Sequence, residues 1–422
     1  MKKFWCLLLI ALLLAGCAAE PDAPIAAASP DTATPSPVPE TPSPVPTEPP
    51  TEAPTPEPTP APTPEPTQSP EDRLLAYVDG MSDAEKIGQL CMFGFSGTET
   101  ISAEFRKILR EYHIGSVILY GQKNVDRTRK DGGFALCRGL TDSVRAANES
   151  EIPLLISTDV EGGSVTRFRW KKSLLSAQTL GKKNDEDLAR EQFRYIGEGL
   201  LGVGINVDLA PCLDVAKAPS ETFLKKRIIS SDRDVASRIG VACIEGLHES
   251  GVLSIVKHFP GHGATNADSH DKTPVVDKSY DSLRMYELVP FAEAVGHADG
   301  VMVAHILYPS VDDEHIASQS EVFITEILRG ELGFEGFVMS DDFRMAGLRT
   351  QVSPKNGAVQ FILAGGDLIL CGANHTYQRQ ILEGLTEAVA NGTISRERLN
   401  ESVYRILSAK MKTGWDPFEN ED

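Results

Sequence analysis

Asp341 ends a short apolar run, Gly336-Phe-Val-Met-Ser340, and is followed at once by a second acid, Asp342. His270 lies on a stretch that Pro260, Gly261 and Gly263 make irregular, with Asp268 two residues before it. A carboxylate and a separately placed imidazole are what acetal cleavage through a covalent intermediate requires, one as nucleophile and the other as proton carrier. An ionised Asp341 could attack an anomeric carbon. Asp342 competes for the assignment, because one of the two acids could simply cap the following helix. Asp268 can accept a hydrogen bond from one ring nitrogen of His270, which fixes the tautomer and raises the basicity of the ring. An ordinary imidazole, titrating near pH 6.5, can donate a proton and take one back at neutral pH.

Other polar residues offer binding rather than bond cleavage. In Asp159-Val-Glu-Gly-Gly-Ser-Val-Thr-Arg167, Asp159 can accept two hydrogen bonds from neighbouring sugar hydroxyls, and Arg167 supplies a planar donor fork. Gly162 and Gly163 let backbone approach a ligand closely. The plainer alternative is a turn with a surface ion pair. Lys257 and His258 close another apolar run, where Lys257 could neutralise Asp208 or Asp214. Arg227 sits in a polar loop and says little alone. His258, His262, Asp268 and His270 fall within 13 residues, which raises the question of zinc. A His-x3-His pair needs a helix to put both rings on one face. Pro260-Gly261 breaks any helix there, so no metal or cofactor is expected.

These groups need a frame that brings them together. Eight short apolar runs recur along the chain: 90–95, 115–119, 153–157, 205–209, 252–256, 300–303, 336–339 and 367–370. Each reads as a strand buried on both faces. Amphipathic stretches such as 103–110 and 324–330 separate most of them, and Ser82-Asp-Ala-Glu85 forms a capping box for the first helix. Eight strands fit a parallel (β/α)8 TIM barrel better than an open doubly wound sheet. Nearly every run ends in a reactive or polar residue: Tyr120, Asp159, Asp208, Lys257-His258, His305 and Asp341. In a barrel those ends converge on one rim.

Composition limits the rest. The chain has 422 residues and a net charge of −19, which argues against a nucleic-acid partner. Residues 1–17 read as a secretory signal, with Lys2 and Lys3, an apolar stretch from Leu7 to Leu14, and a small-residue end. That apolar stretch is short for a membrane span, which takes about 20 residues. Leu14-Ala-Gly-Cys17 resembles the bacterial lipobox, which implies acylation of Cys17 and a lipid anchor on the extracytoplasmic face of the cell membrane. Residues 18–70 are rich in Pro and Thr and carry almost no large apolar side chains, so they read as a disordered, extended spacer of up to roughly 150 Å. The folded domain is expected over 71–422. Cys91, Cys137, Cys212, Cys243 and Cys371 show no CxxC spacing and read as core residues rather than disulfides or a zinc site.

Taken together, the motifs resemble glycoside hydrolase family 3, in its bacterial β-N-acetylglucosaminidase branch. Lys257-His-Phe-Pro-Gly-His-Gly263 with Asp268-Ser-His270 carries the resemblance. Asp159-x-Glu-Gly-Gly163, Ala210-Pro-Cys-Leu-Asp214, Leu328-Arg-Gly-Glu-Leu-Gly-Phe334 and Ser340-Asp-Asp342 support it. The resemblance implies a retaining mechanism with Asp341 as nucleophile and His270, on a mobile loop, as general acid/base oriented by Asp268. It implies that Asp159, Arg167, Arg227, Lys257 and His258 hold a terminal N-acetylglucosamine of a cell-wall fragment, in a monomer without cofactor. The chain departs from the family at Arg227-Ile-Ile229, where Arg-Ser-Phe is usual, and carries no second α/β domain after the helix at 397–412. A broader β-glycosidase, a phosphorylase and a lipoprotein that only binds sugars remain as alternatives.

Overall fold

The structure, a computed structural model, describes residues 69–419 apart from Asn266. The signal, Cys17 and nearly all of the Pro/Thr-rich segment lie outside the described residues. The first described element is a helix, Pro70–Gly80, capped by Ser69. The next, Asp83–Gln89, starts with the expected capping box: the Ser82 hydroxyl accepts from the Glu85 amide, and the Glu85 carboxylate accepts from the Ser82 amide.

All eight expected strands form. They are β1 (Cys91–Gly94), β2 (Ser116–Ile118), β3 (Leu155–Thr158), β4 (Val207–Asp208), β5 (Leu253–Phe259), β6 (Gly300–Val303), β7 (Phe337–Ser340) and β8 (Ile369–Cys371). Every residue in them is buried, as strands covered on both faces must be. Each pairs in parallel with the next, and β1 pairs with β8. A parallel bridge between Met339 and Leu368 and a bond from the Ser340 amide to the Leu368 carbonyl join β7 to the start of β8. The result is a nearly closed (β/α)8 barrel wrapped by helices, with the core of Ile, Leu, Val and Phe inside and beneath the helices. The five cysteines are free and buried within it. No helix among the described residues is long and apolar enough to cross a membrane.

Polar ties hold the strand starts at the base of the barrel. Asp367, fully buried, takes ion pairs from Arg329, Arg398 and Arg405 and accepts the Val338 amide. Lys410 is also fully buried, on the helix Arg396–Met411, and donates to Gln89 Oε1 (2.6 Å) and the Gly115 carbonyl (2.8 Å).

Three local readings differ from the sequence expectation. Strand β5 runs on to Phe259, one residue past the Lys257-His258 pair expected to end it. Its pairing with β6 is irregular between Lys257 and Phe259. The segment Val322–Glu331 is wound as a π-helix rather than an α-helix. A two-stranded antiparallel hairpin, Leu307–Tyr308 with Asp312–Ile316, follows β6 and was not foreseen. Its strands are short and polar on one side, so they lack the apolar signal that marks the barrel strands.

Candidate active site

The rim carries a cavity of about 400 Å³, a usual size for a small-molecule site. Its floor is a buried lattice of alternating charge. Asp159 and Glu161 follow β3 with one residue between them, so both carboxylates reach the ammonium of Lys257, at 2.8 and 2.7 Å. Arg227 makes a two-pronged pair with Glu161 (2.8 and 2.8 Å), and Arg167 reaches the other oxygen of Asp159 at 2.5 Å. Burial works against every one of these charges, but the partners outweigh it. Lys257 and Arg167 hold Asp159 well below the usual carboxylate range, and Arg227 and Lys257 hold Glu161 down to about 2. The acids in turn keep Lys257 and Arg227 above their ordinary values despite burial.

One expectation is corrected here. Lys257 neutralises Asp159 and Glu161, not Asp208 or Asp214. Asp208 points to a different job: it accepts the Val160 amide at 2.8 Å, and burial raises its carboxyl well above the ordinary value. Gly162 and Gly163 are required by the chain's own packing. Both have left-handed backbone (φ 87° and 57°) in a tight turn, and a Cβ on either would strike Leu175 or Ser176. Glu161, which the sequence reading passed over, pins two cationic groups at once. Its position two residues after Asp159 was the available signal.

His258 is fixed on both sides. Its Nδ1 bonds Asp214 Oδ2 at 2.6 Å, and Arg227 approaches Nε2 at 3.3 Å. His258 counters the effect of burial on Asp214, which is held down to about 2. Cys212, Asp214 and His258 also present possible metal donors within 4.8 Å of one another. They are already engaged with each other, since the Cys212 thiol donates to the same Asp214 oxygen at 3.1 Å.

The neighbouring acids after β7 separate cleanly. Asp342 accepts from the Tyr120 hydroxyl (2.8 Å), the Gly372 amide (3.1 Å) and the guanidinium of Arg344 (2.6 Å at the shortest). It braces the rim. Asp341 accepts the Asp342 amide at 2.7 Å and, among the described residues, pairs with no lysine or arginine. Burial opposes its ionisation, but His258, His305 and the Asp342 amide hold its carboxyl below the ordinary value. It is an ionised carboxylate facing an open cavity.

His270 faces the same cavity from the loop after β5. Asp268 Oδ1 accepts both its Nδ1–H (2.7 Å) and its backbone amide (2.9 Å). That bond leaves Nε2 as the ring atom available for proton transfer. The loop is tied to the chain just past the two acids: the Gly347 amide donates to the Ser269 carbonyl at 2.9 Å, and the Ala346 amide to the His270 carbonyl at 3.4 Å. Below it, His262 bonds the Ser269 hydroxyl at 2.9 Å. Burial and the neighbouring His258 push His262 down to about 4, so it is neutral at physiological pH. Thus Asp341, His270, Asp159, Arg167, Arg227, Lys257 and His258 all line one cavity, with Asp268 directly behind His270.

Residues 83–409 match the family model described as the glycosyl hydrolase family 3 N terminal domain. The chain belongs to glycosyl hydrolase family 3. It is a glycosidase by that membership. A beta-hexosaminidase of Tolumonas auensis is 34% identical over 335 residues, covering 78% of this chain and 96% of that one. Beta-hexosaminidase A of Pseudoalteromonas piscicida is 31% identical over 341 residues, covering 74% of this chain and 56% of the longer relative. Among solved structures, a family 3 beta-N-acetylglucosaminidase from Paenibacillus sp. superposes with a TM-score of 0.74 at 35% identity, over 79% of this chain and 63% of that one. In this chain the barrel's own loops carry both the carboxylate of Asp341 and the Asp-backed imidazole.

Proposed function

We propose that the protein is a retaining β-N-acetylglucosaminidase that removes a non-reducing terminal N-acetylglucosamine from cell-wall, peptidoglycan-derived fragments. One observation carries the reading. An ionised carboxylate that pairs with no lysine or arginine among the described residues, Asp341, and an imidazole oriented by Asp268 share a cavity whose floor is a fixed lattice of charges. The family and its β-hexosaminidase relatives support the amino-sugar assignment.

In the proposed reaction, Asp159, Arg167, Lys257, Arg227 and His258 hold the terminal sugar. Asp341 attacks the anomeric carbon as His270, protonated on Nε2, donates to the departing oxygen. The leaving group departs as an alcohol. Neutral His270 then takes a proton from water, which attacks the glycosyl ester and frees Asp341. Asp268 stabilises the imidazolium and keeps Nε2 turned toward the substrate. The segment Leu14-Ala-Gly-Cys17 supports acylation of Cys17 and a lipid anchor on the extracytoplasmic face. Metabolic labelling with a fatty-acid analogue, lost in Cys17→Ser, tests that anchor.

Intact-protein mass spectrometry with a slow, 2-fluoro-type or aryl N-acetylglucosaminide tests the chemistry. The expected result is a single added sugar, mapped by peptide analysis to Asp341. Turnover without an adduct under trapping conditions, or an adduct on Asp342, overturns the assignment. Parallel assays with and without phosphate separate hydrolysis from phosphorolysis.

A further inference from the structure

The loop after β4 has a core of its own. Ala216, Leu224 and Ile228 form a small apolar cluster separate from the main one, with Phe223 packed against it. The loop presses on the segment that leads to His270: a Cβ at Gly263 would come within 2.1 Å of the Val215 carbonyl. Such close contact with a self-supporting cluster makes the loop a rigid wall rather than a loose flap. Two of its side chains line the cavity. Arg227 is fixed in the charged floor by Glu161. Phe223, only half-buried, has no such engagement.

The position of Phe223 relative to the proton carrier decides what it can touch. Its ring meets the His262 ring edge-on, with centroids 4.5 Å apart and a 63° angle. His262 bonds Ser269, the residue before His270. Phe223 therefore stands on the side of the cavity where the general acid stands. A general acid must reach the glycosidic oxygen, so that side faces the leaving group. A half-buried aromatic ring fixed beside a leaving sugar offers a flat apolar surface to the C–H face of that sugar.

We infer that Phe223 is a specificity-determining residue that stacks on the leaving-group sugar, so the protein selects substrates whose leaving group is itself a pyranose. The inference rests on the glycosidase reading above. It deepens that reading by naming which part of the substrate the wall recognises.

The test compares two substrates with the same terminal N-acetylglucosamine. One is the β-1,4-linked disaccharide, whose leaving group is a pyranose. The other is the methyl β-glycoside, whose alcohol leaving group needs the same proton but has no ring face to stack. The measured quantity is the ratio of kcat/KM for the disaccharide to that for the methyl glycoside, in the wild type, Phe223→Ala, Phe223→Leu and Phe223→Trp. Phe223→Leu keeps an apolar side chain on Ala216, Leu224 and Ile228 while removing the ring. The expected result is a ratio lowered about tenfold in both Phe223→Ala and Phe223→Leu and restored to within a few fold in Phe223→Trp. A ratio unchanged in Phe223→Leu overturns the inference, whether the two rates fall together or do not fall. Failure of the wild type to cleave either substrate overturns the glycosidase reading instead, so the two failures are distinct.

Discussion

Replacing Lys410 with Met should change how stability depends on pH. Lys410 Nζ is sealed at the base of the barrel with two neutral acceptors, Gln89 Oε1 and the Gly115 carbonyl, and burial lowers its pKa to about 7. In the unfolded chain an ordinary lysine titrates near 10.4. Below pH 7 both states carry the proton, and the fold bears the full cost of the buried charge. Between pH 7 and 10.4 the unfolded state binds more protons, so stability rises with pH; above that range the cost vanishes. Linkage puts the cost at about 4 kcal/mol at pH 7 and about 2 kcal/mol at pH 9. The wild type should therefore gain about 2 kcal/mol relative to Lys410→Met over that interval. The double difference is insensitive to the acceptors left unpaired, whose penalty of about 1–3 kcal/mol does not change with pH. Urea denaturation of both proteins at pH 7, 8 and 9 measures it. Curves parallel to within about 0.5 kcal/mol would refute the reasoning, and would mean that the two acceptors hold the charged ammonium inside the fold.

Three further outcomes concern the cavity. His270→Ala should lower kcat/KM by about 10²–10⁴-fold for disaccharides and far less for activated aryl glycosides, whose leaving groups need no proton; equal losses would remove the acid role. Asp341→Asn should abolish the covalent adduct and reduce kcat by at least about 10³-fold, whereas Asp342→Asn should act mainly on stability, read from thermal melting of the two variants. Glu161→Gln leaves Lys257 and Arg227 without a shared anion, so affinity for N-acetylglucosamine should fall by at least about tenfold in calorimetry, with a loss of stability of about 3 kcal/mol in urea. An unchanged affinity would show that Asp159 alone positions Lys257.

The barrel was legible because its strands are buried on both faces. Runs such as Gly300–Val303 and 337–339 are apolar throughout, so even three or four residues stand out. The catalytic candidates were legible because each ends or follows such a run. What the sequence hid was pairing. Nothing in the order of residues says that Lys257 lies between Asp159 and Glu161, since the two acids follow β3 and the lysine belongs to β5. The choice between Asp341 and Asp342 was hidden in part for the same reason: of the groups that engage Asp342, Arg344 is near in sequence, but Tyr120 and Gly372 come from other strand ends. The hairpin after β6 and the cluster around Phe223 escaped because short, mixed-polarity segments leave no periodic signal.

The clasp between Ser269 and Gly347 has a bearing on how the protein tolerates heat. The loop that carries His270 is bonded to the stretch just past Asp341, so in the proposed reaction the spacing of proton donor and attacking oxygen is set by that one tie. Slow breathing of the opposite staves leaves that spacing alone and disturbs the grip on the sugar first. On warming, the enzyme should lose its hold on substrate while whatever remains bound is still cut at an undiminished pace.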